Sequence, residues 1–230
     1  EQEKDITYDT NIAVCYTTLD QLVSNIVFAT GCDSAVLVFS GGVNFRYDFP
    51  ISYKANRKAS RRPEGYEEIL AYAKAKYNTF TTDGIEADDY VVYLKTKYPE
   101  DYLLCAIDKD VLYQTAGTHY NYNKDEEVTV SEGDATRYAY FQTLTGDTTD
   151  GYRGCYGIGA AKATKILAEC ETDYEMWQAV LEAYESKDQT ESEALWTMRL
   201  AQMHQFNGKS IDLWNPPVAP VDATLNETTI

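Results

Sequence analysis

Disulfide chemistry is the first thing this chain lacks. Its five cysteines, Cys15, Cys32, Cys105, Cys155 and Cys170, are odd in number, far apart and form no CxxC pair. That excludes a disulfide framework or a thiolate zinc site and leaves reduced thiols. A metal, if bound, is then held by oxygen. Histidine is nearly missing too: His119 and His204 are the only two and neither falls inside a group of acids, so they are expected at surface or helix positions rather than as general bases. No run approaches the roughly 18 apolar residues of a membrane span, and no basic-then-apolar leader opens the chain, so a soluble, cytoplasmic protein with no membrane partner is expected. No methionine precedes Met176 and the chain starts at Glu1; a piece upstream is therefore expected to be missing. There is no internal repeat and no low-complexity tract.

Positive charge is also scarce. Twenty Lys and Arg face 37 Asp and Glu, for a net charge of −17, a balance that ordinarily argues against a nucleic-acid partner. Distribution matters more than the sum. Residues 54–62, KANRKASRR, hold Lys54, Arg57, Lys58, Arg61 and Arg62, five cations in nine positions. Alone, such a run reads as a solvated face.

What is present is a core. At 230 residues and 44% hydrophobic content, the chain is long enough for one large α/β domain, or for one domain with a helical annex. Leu19, Leu22, Val23, Ile26 and Val27 recur at helical spacing behind a threonine, which predicts a helix over 17–28. SAVLVF from Ser34 predicts a buried strand, followed by a helix over 64–77, a short strand over 79–82 and a helix over 86–98. YLLCAI from Tyr102 is a continuous apolar run suited to a parallel strand covered on both faces. Strands alternating with helices imply a parallel sheet with crossovers. After EEVTV, an edge or late strand, the pattern turns helical over 131–144, from 160, over 174–185 and over 191–204, and Trp177, Trp196 and Trp214 fit packing among these helices. Pro216, Pro217 and Pro220 mark an irregular tail.

Acids gather at three element ends. Glu86, Asp88 and Asp89 open a helix in GIEADD. Helix capping explains one or two of them, but three in four positions repel one another unless a cation intervenes. Asp108 and Asp110 follow YLLCAI, and extended alternation would point both to one side at the C-terminal edge of the sheet, where open α/β sheets place ligands; an Asp-rich turn is the alternative. Asp147 and Asp150 stand three apart in GDTTDG. Seven carboxylates with hard oxygen donors suit Mg²⁺ or Mn²⁺. Directly after them, Gly154, Gly157 and Gly159 permit tight turns with positive φ, and the helix from Ala160 turns free N–H groups, Lys162 and Lys165 toward an anion.

YKANR with RRP, then GIEADD, AIDKD and GDTTDGYRGCYGIGAAKA, in that order, resemble the 5′ nucleases: flap endonucleases, the 5′→3′ exonuclease domain of bacterial DNA polymerase I and, nearest, short bacteriophage exonucleases. The resemblance covers about residues 35–167. It implies a parallel-sheet, PIN-like α/β core over 1–130, a helical DNA-binding region with a helix-three-turn-helix motif over 131–214, and an irregular tail over 215–230. Glu86, Asp88, Asp89, Asp108, Asp110, Asp147 and Asp150 would hold two Mg²⁺ or Mn²⁺ ions, with K⁺ at the glycine turn. Lys54 and Arg57 would act on the scissile phosphate at the base of a helical arch. Tyr53, Lys58, Arg61, Arg62, Gly157, Gly159, Lys162 and Lys165 would touch DNA, Tyr53 by stacking on a terminal base, unless it is a core tyrosine. The implied protein is a monomer acting on DNA with 5′ ends, flaps or nicks, in a bacterial cytoplasm if phage-encoded. Two departures stand out. The family opens with a strand ending in aspartate, absent here, and has an aspartate after its second strand, where this chain reads VLVFSGGVNFR with Gly41 or Ser40 at that place. A catalytically impaired DNA-binding module of the same fold is therefore the alternative.

Overall fold

The computed structural model describes residues 10–57 and 62–220. Helix α1 (Ile12–Thr30) begins where the Asn11 side chain accepts the Val14 N–H and ends at Gly31 in the left-handed region, φ 66°. It is longer than the pattern predicted and is long and apolar enough to span a membrane by composition. Polar residues spaced through it, above all Asp20, kept it below the apolar-run criterion. Asp20 accepts hydrogen bonds from Tyr72, Lys76 and Tyr77, and Tyr16 stacks on Tyr72 at 4.1 Å, so this helix is fastened to α2 (Tyr66–Lys76). A charged, tyrosine-bonded aspartate at mid-helix fits a docked helix better than a lipid-facing one.

The sheet is less continuous than the alternation implied. Strand β1 (Val36–Phe39) pairs in parallel with β2 (Asn78–Thr81), Val36 opposite Asn78. Strand β3 is only Leu104–Cys105; it pairs in parallel with β4 (Gly117–Asn121), which pairs antiparallel with β5 (Glu126–Val130). Among the described residues these are two separate sheets rather than one, and β1 and β3 each have a strand neighbour on one side only. Helix α3 (Ala87–Lys97) packs on both β1 and β3, which sets their C-terminal ends side by side.

Helix α4 (Lys109–Tyr113) follows β3. Helix α5 (Glu132–Thr145), capped by Ser131, leads to a small antiparallel pair, β6 (Gly146–Asp147) with β7 (Tyr152–Arg153), and then to α6 (Ala160–Leu167), α7 (Asp173–Glu185) and α8 (Glu191–Ala201). Thr172 and Thr190 each form a capping box, with Glu175 and Glu193. The main core lies among α5 to α8, around Tyr140, Leu144, Leu167, Trp177, Val180, Tyr184 and Met198. Trp214 closes it edge-on against Trp177 at 5.0 Å. Trp196 instead packs on Phe49 at 5.1 Å, joining the helices to the segment after β1. His119, expected at a surface or in a helix, is fully buried on β4, because its Nε2 finds the Thr115 carbonyl at 2.6 Å.

Candidate active site

Six of the seven predicted carboxylates line one cleft of about 670 Å³: Glu86, Asp88, Asp108, Asp110, Asp147 and Asp150, with Lys54 and Arg57 and the loop from Ser40 to Asn44. It opens at the C-terminal ends of β1 and β3, where ligands of open α/β sheets bind. Three separate segments of the chain supply the acids, a fourth the two cations and a fifth the loop.

Asp89 is the exception. It is buried and accepts both arms of the Arg46 guanidinium, at 2.8 and 2.7 Å, as well as the Glu86 N–H at 3.0 Å. Its oxygens are used up in this fork, so it is a brace for the acids and not a candidate ligand. Arg46 is itself fully buried and also donates to the carbonyls of Leu200 and Gln202, so one cation ties α3 to the end of α8. Sequence reasoning passed over it. The available signal was an arginine isolated among Phe45, Tyr47 and Phe49, a setting in which a charge needs a buried partner.

Asp108 and Asp110 do not alternate along an extended strand. β3 ends early, and Asp108 instead caps α4 by accepting the Asp110 N–H at 2.8 Å. Both still line the cleft, through helix geometry. Asp147 accepts the N–H groups of Thr149 (2.6 Å) and Asp150 (3.1 Å), a turn that brings Asp150 back toward Lys54.

Repulsion is legible in the proton affinities. Burial, then Glu86, Asp108 and Asp89, pushes the Asp88 carboxyl up to about 6. Burial, then Asp108, pushes Asp110 up to about 6, with Gln142 and Lys109 offsetting only part of the effect. Burial also acts against ionised Glu86, but hydrogen bonds from Lys54 and Tyr53 outweigh it and hold this carboxyl below its usual range.

The chain's own cations sit among these acids. Lys54 Nζ is bonded to Glu86 and lies 3.7 Å from Asp150; Arg57 reaches Asp150 at 2.6 Å. Lys54 holds a left-handed backbone, φ 53°, with its N–H on the Asp150 carbonyl at 2.6 Å. Strain at a non-glycine residue of this kind concentrates at functional sites. Among the described residues no three acids stand close enough together to enclose one ion; Lys54 and Arg57 occupy the space between Glu86 and Asp150.

Other predicted contacts fall elsewhere. Tyr53 is buried, and its hydroxyl donates to Glu86 (2.7 Å) and Asp150 (3.0 Å), so its ring is not free to stack on a base; it is a core tyrosine that orients two acids. Arg62 pairs with Glu67 on the surface. Lys58 and Arg61 lie outside the described residues. Of the three glycines, only Gly157 has positive φ, 71°. Gly159 is an extended N-cap of α6, φ −102°, and Gly154 is there because a Cβ would strike the Leu144 carbonyl and the Gly146 backbone. Lys162 folds back onto the Gly157 carbonyl at 2.9 Å, and Lys165 stands in the last turn of α6. Gly41 likewise marks a close approach: a Cβ there would collide with the Thr82 carbonyl oxygen.

No protein-family model matches the chain. It is 31% identical over 140 residues to an exonuclease of Escherichia phage T7, across 54% of this chain and 44% of that protein. It is 30% identical to an exodeoxyribonuclease of Enterobacteria phage T3, across 54% and 43%. The chain thus spans less than half the length of these curated relatives. In structure it is similar to the T5 D15 protein co-crystallised with metal ions, TM-score 0.66 at 18% identity over 82% of this chain and 83% of that one. It is also similar to a bacteriophage T5 D15 flap endonuclease in a pseudo-enzyme–product complex with DNA and metal ions, TM-score 0.65 at 17% identity over 82% and 81%. Sequence and fold together support the phage-like 5′ nuclease family that the motifs resemble.

Proposed function

We propose that this chain hydrolyses phosphodiester bonds of DNA at 5′ ends, flaps or nicks, as a divalent-metal-dependent 5′→3′ exonuclease or flap endonuclease. The observation that carries the reading is the convergence of six carboxylates from three segments beside Lys54 and Arg57 in one cleft. The donor set fits hard divalent ions: every candidate ligand is a carboxylate oxygen, and Asp88 and Asp110 are pushed up to about 6 by burial and then by acidic neighbours, whose charge a cation would offset. Glu86, Asp88, Asp108, Asp110, Asp147 and Asp150 would hold Mg²⁺ or Mn²⁺. When bound, such ions activate a water and stabilise the leaving oxygen.

The remaining steps belong to the chain itself. Lys54 and Arg57, displaced from Glu86 and Asp150, offset the charge of the phosphate. Tyr53, donating to the same two acids, keeps them oriented when the lysine leaves. Arg46 and Asp89 hold the N-terminus of α3, and with it Glu86 and Asp88, in place. In the same reading the turn over 151–159 and the start of α6 hold duplex backbone, with K⁺ at that turn, so that residues 131–214 grip the DNA while also lending Asp147 and Asp150 to the centre built on residues 1–130. The protein acts as a monomer.

The test is cleavage of an end-labelled 5′-flap duplex in Mg²⁺ or Mn²⁺, lost in EDTA and in Asp147→Ala. The neutral Gly41, where the resemblance implies an acid, favours a second reading, a DNA-binding module with an impaired centre. Binding of the flap duplex with no cleavage in either ion establishes that reading and removes the first.

A further inference from the structure

The cleft has one wall without acids. From Ser40 to Asn44 the chain reads SGGVN, and all five residues line the same cleft as the carboxylates. Asn44 is 4% exposed. Its Oδ1 accepts the Arg46 N–H at 3.1 Å, which fixes the orientation of the side-chain amide and leaves Nδ2 on the other side. That Nδ2 is buried and has no hydrogen-bond partner. Unpaired buried donors are costly and rare, and each one needs a reason. Ser40 resembles it: its Oγ accepts the Ala87 N–H at 2.9 Å, which leaves the hydroxyl proton free to donate. The wall therefore offers neutral donors in a cleft otherwise lined by acids, and its missing partner is an acceptor.

Resting on the reading of the cleft as a DNA phosphate site, we propose that the Ser40–Asn44 wall binds the nucleic-acid backbone, with Asn44 Nδ2 donating to a non-bridging phosphate oxygen. Asn44 is then a substrate-contacting residue. The contact is sequence-independent: it reads the backbone and not a base.

The test is the affinity of fluorescent 5′-flap duplexes in Ca²⁺ by anisotropy, with thermal melting as a check on folding. Asn44→Asp keeps shape and cap acceptor but exchanges the donor for an anion; Asn44→Ser keeps a capping oxygen but is one atom shorter, so no donor stands at the Nδ2 position. Asn44→Asp is expected to weaken binding at least tenfold and Asn44→Ser about fivefold. A series of duplexes with single neutral methylphosphonates, read first on the wild type and so independent of any variant's folding, is expected to reveal one position whose loss in the wild type disappears in Asn44→Ser. Equal affinities in wild type and both variants, or no such position, overturn this inference alone. A wild type that binds none of the duplexes overturns the DNA reading, and this inference with it.

Discussion

The helical core and the acid cleft bury side chains under opposite rules. Around Trp177, Val180 and Met198 each buried group is apolar or has its hydrogen bond, as the Tyr184 hydroxyl does on the Thr143 carbonyl at 2.8 Å. In the cleft, Asp88 and Asp110 are kept against the charge of their neighbours, and Lys54 is kept in a left-handed backbone. Packing selects one stable arrangement in the first region. In the second, unfavourable terms persist because the rest of the fold holds them there, which is how sites built to bind something differ from sites built to be stable.

The largest effect is expected where the two regions meet, at Arg46. Truncation to Ala strands Asp89 as a lone buried charge and should cost about 3–5 kcal/mol in chemical denaturation, with cleavage lost as the start of α3 loosens. Arg46→Met with Asp89→Leu should recover at least half of that stability without recovering cleavage, because a buried pair can be exchanged for apolar groups when both partners go. Trp177→Ala, inside the core, should cost about 3 kcal/mol by cavity formation, and cleavage measured well below its melting temperature should hardly change. If both variants lost stability and rate in step, the two regions would not be separable.

Most of the helical half was legible in the sequence. The periodicity predicted helices within a few residues of α5 to α8, since apolar spacing, with a serine cap on α5 and threonine caps on α7 and α8, agrees there with the tertiary packing. The cleft was legible only as a list of acids. Which of them face it depended on two things that no local pattern carries: Arg46 claiming Asp89 from 43 positions away, and β3 ending at Cys105 so that Asp108 became a helix cap. Tyr53 was lost in the same way, because its two acceptors lie 33 and 97 positions away.

A smaller effect should come from relieving the repulsion. Asp88 has its folded pKa raised from 3.8 to about 6, so its contribution favours folding below about 3.8 and is lost as pH rises through about 6. Asp88→Asn, neutral at every pH, should therefore match the wild type near pH 4 and exceed it by about 1–2 kcal/mol at pH 7 without divalent ions. Adding Mn²⁺ at pH 7 should raise the melting temperature of the wild type more than that of the variant. A variant no more stable than wild type at pH 7 would show that neither burial nor the neighbouring acids weigh on the Asp88 carboxylate.

The smallest effect lies outside both regions, at Arg62. Its pair with Glu67 is 70% and 66% exposed, and exposed pairs contribute little, so Arg62→Ala should change stability by less than about 0.5 kcal/mol. Binding is the more informative measurement. If Arg62 neutralises one phosphate, as the basic run over 54–62 implies, the slope of log affinity against log salt for a flap duplex should flatten by about 0.9 in the variant. The absolute affinity should fall alike for every sequence tested. An unchanged slope would assign Arg62 to Glu67 alone and remove it from the members of that run that meet the backbone.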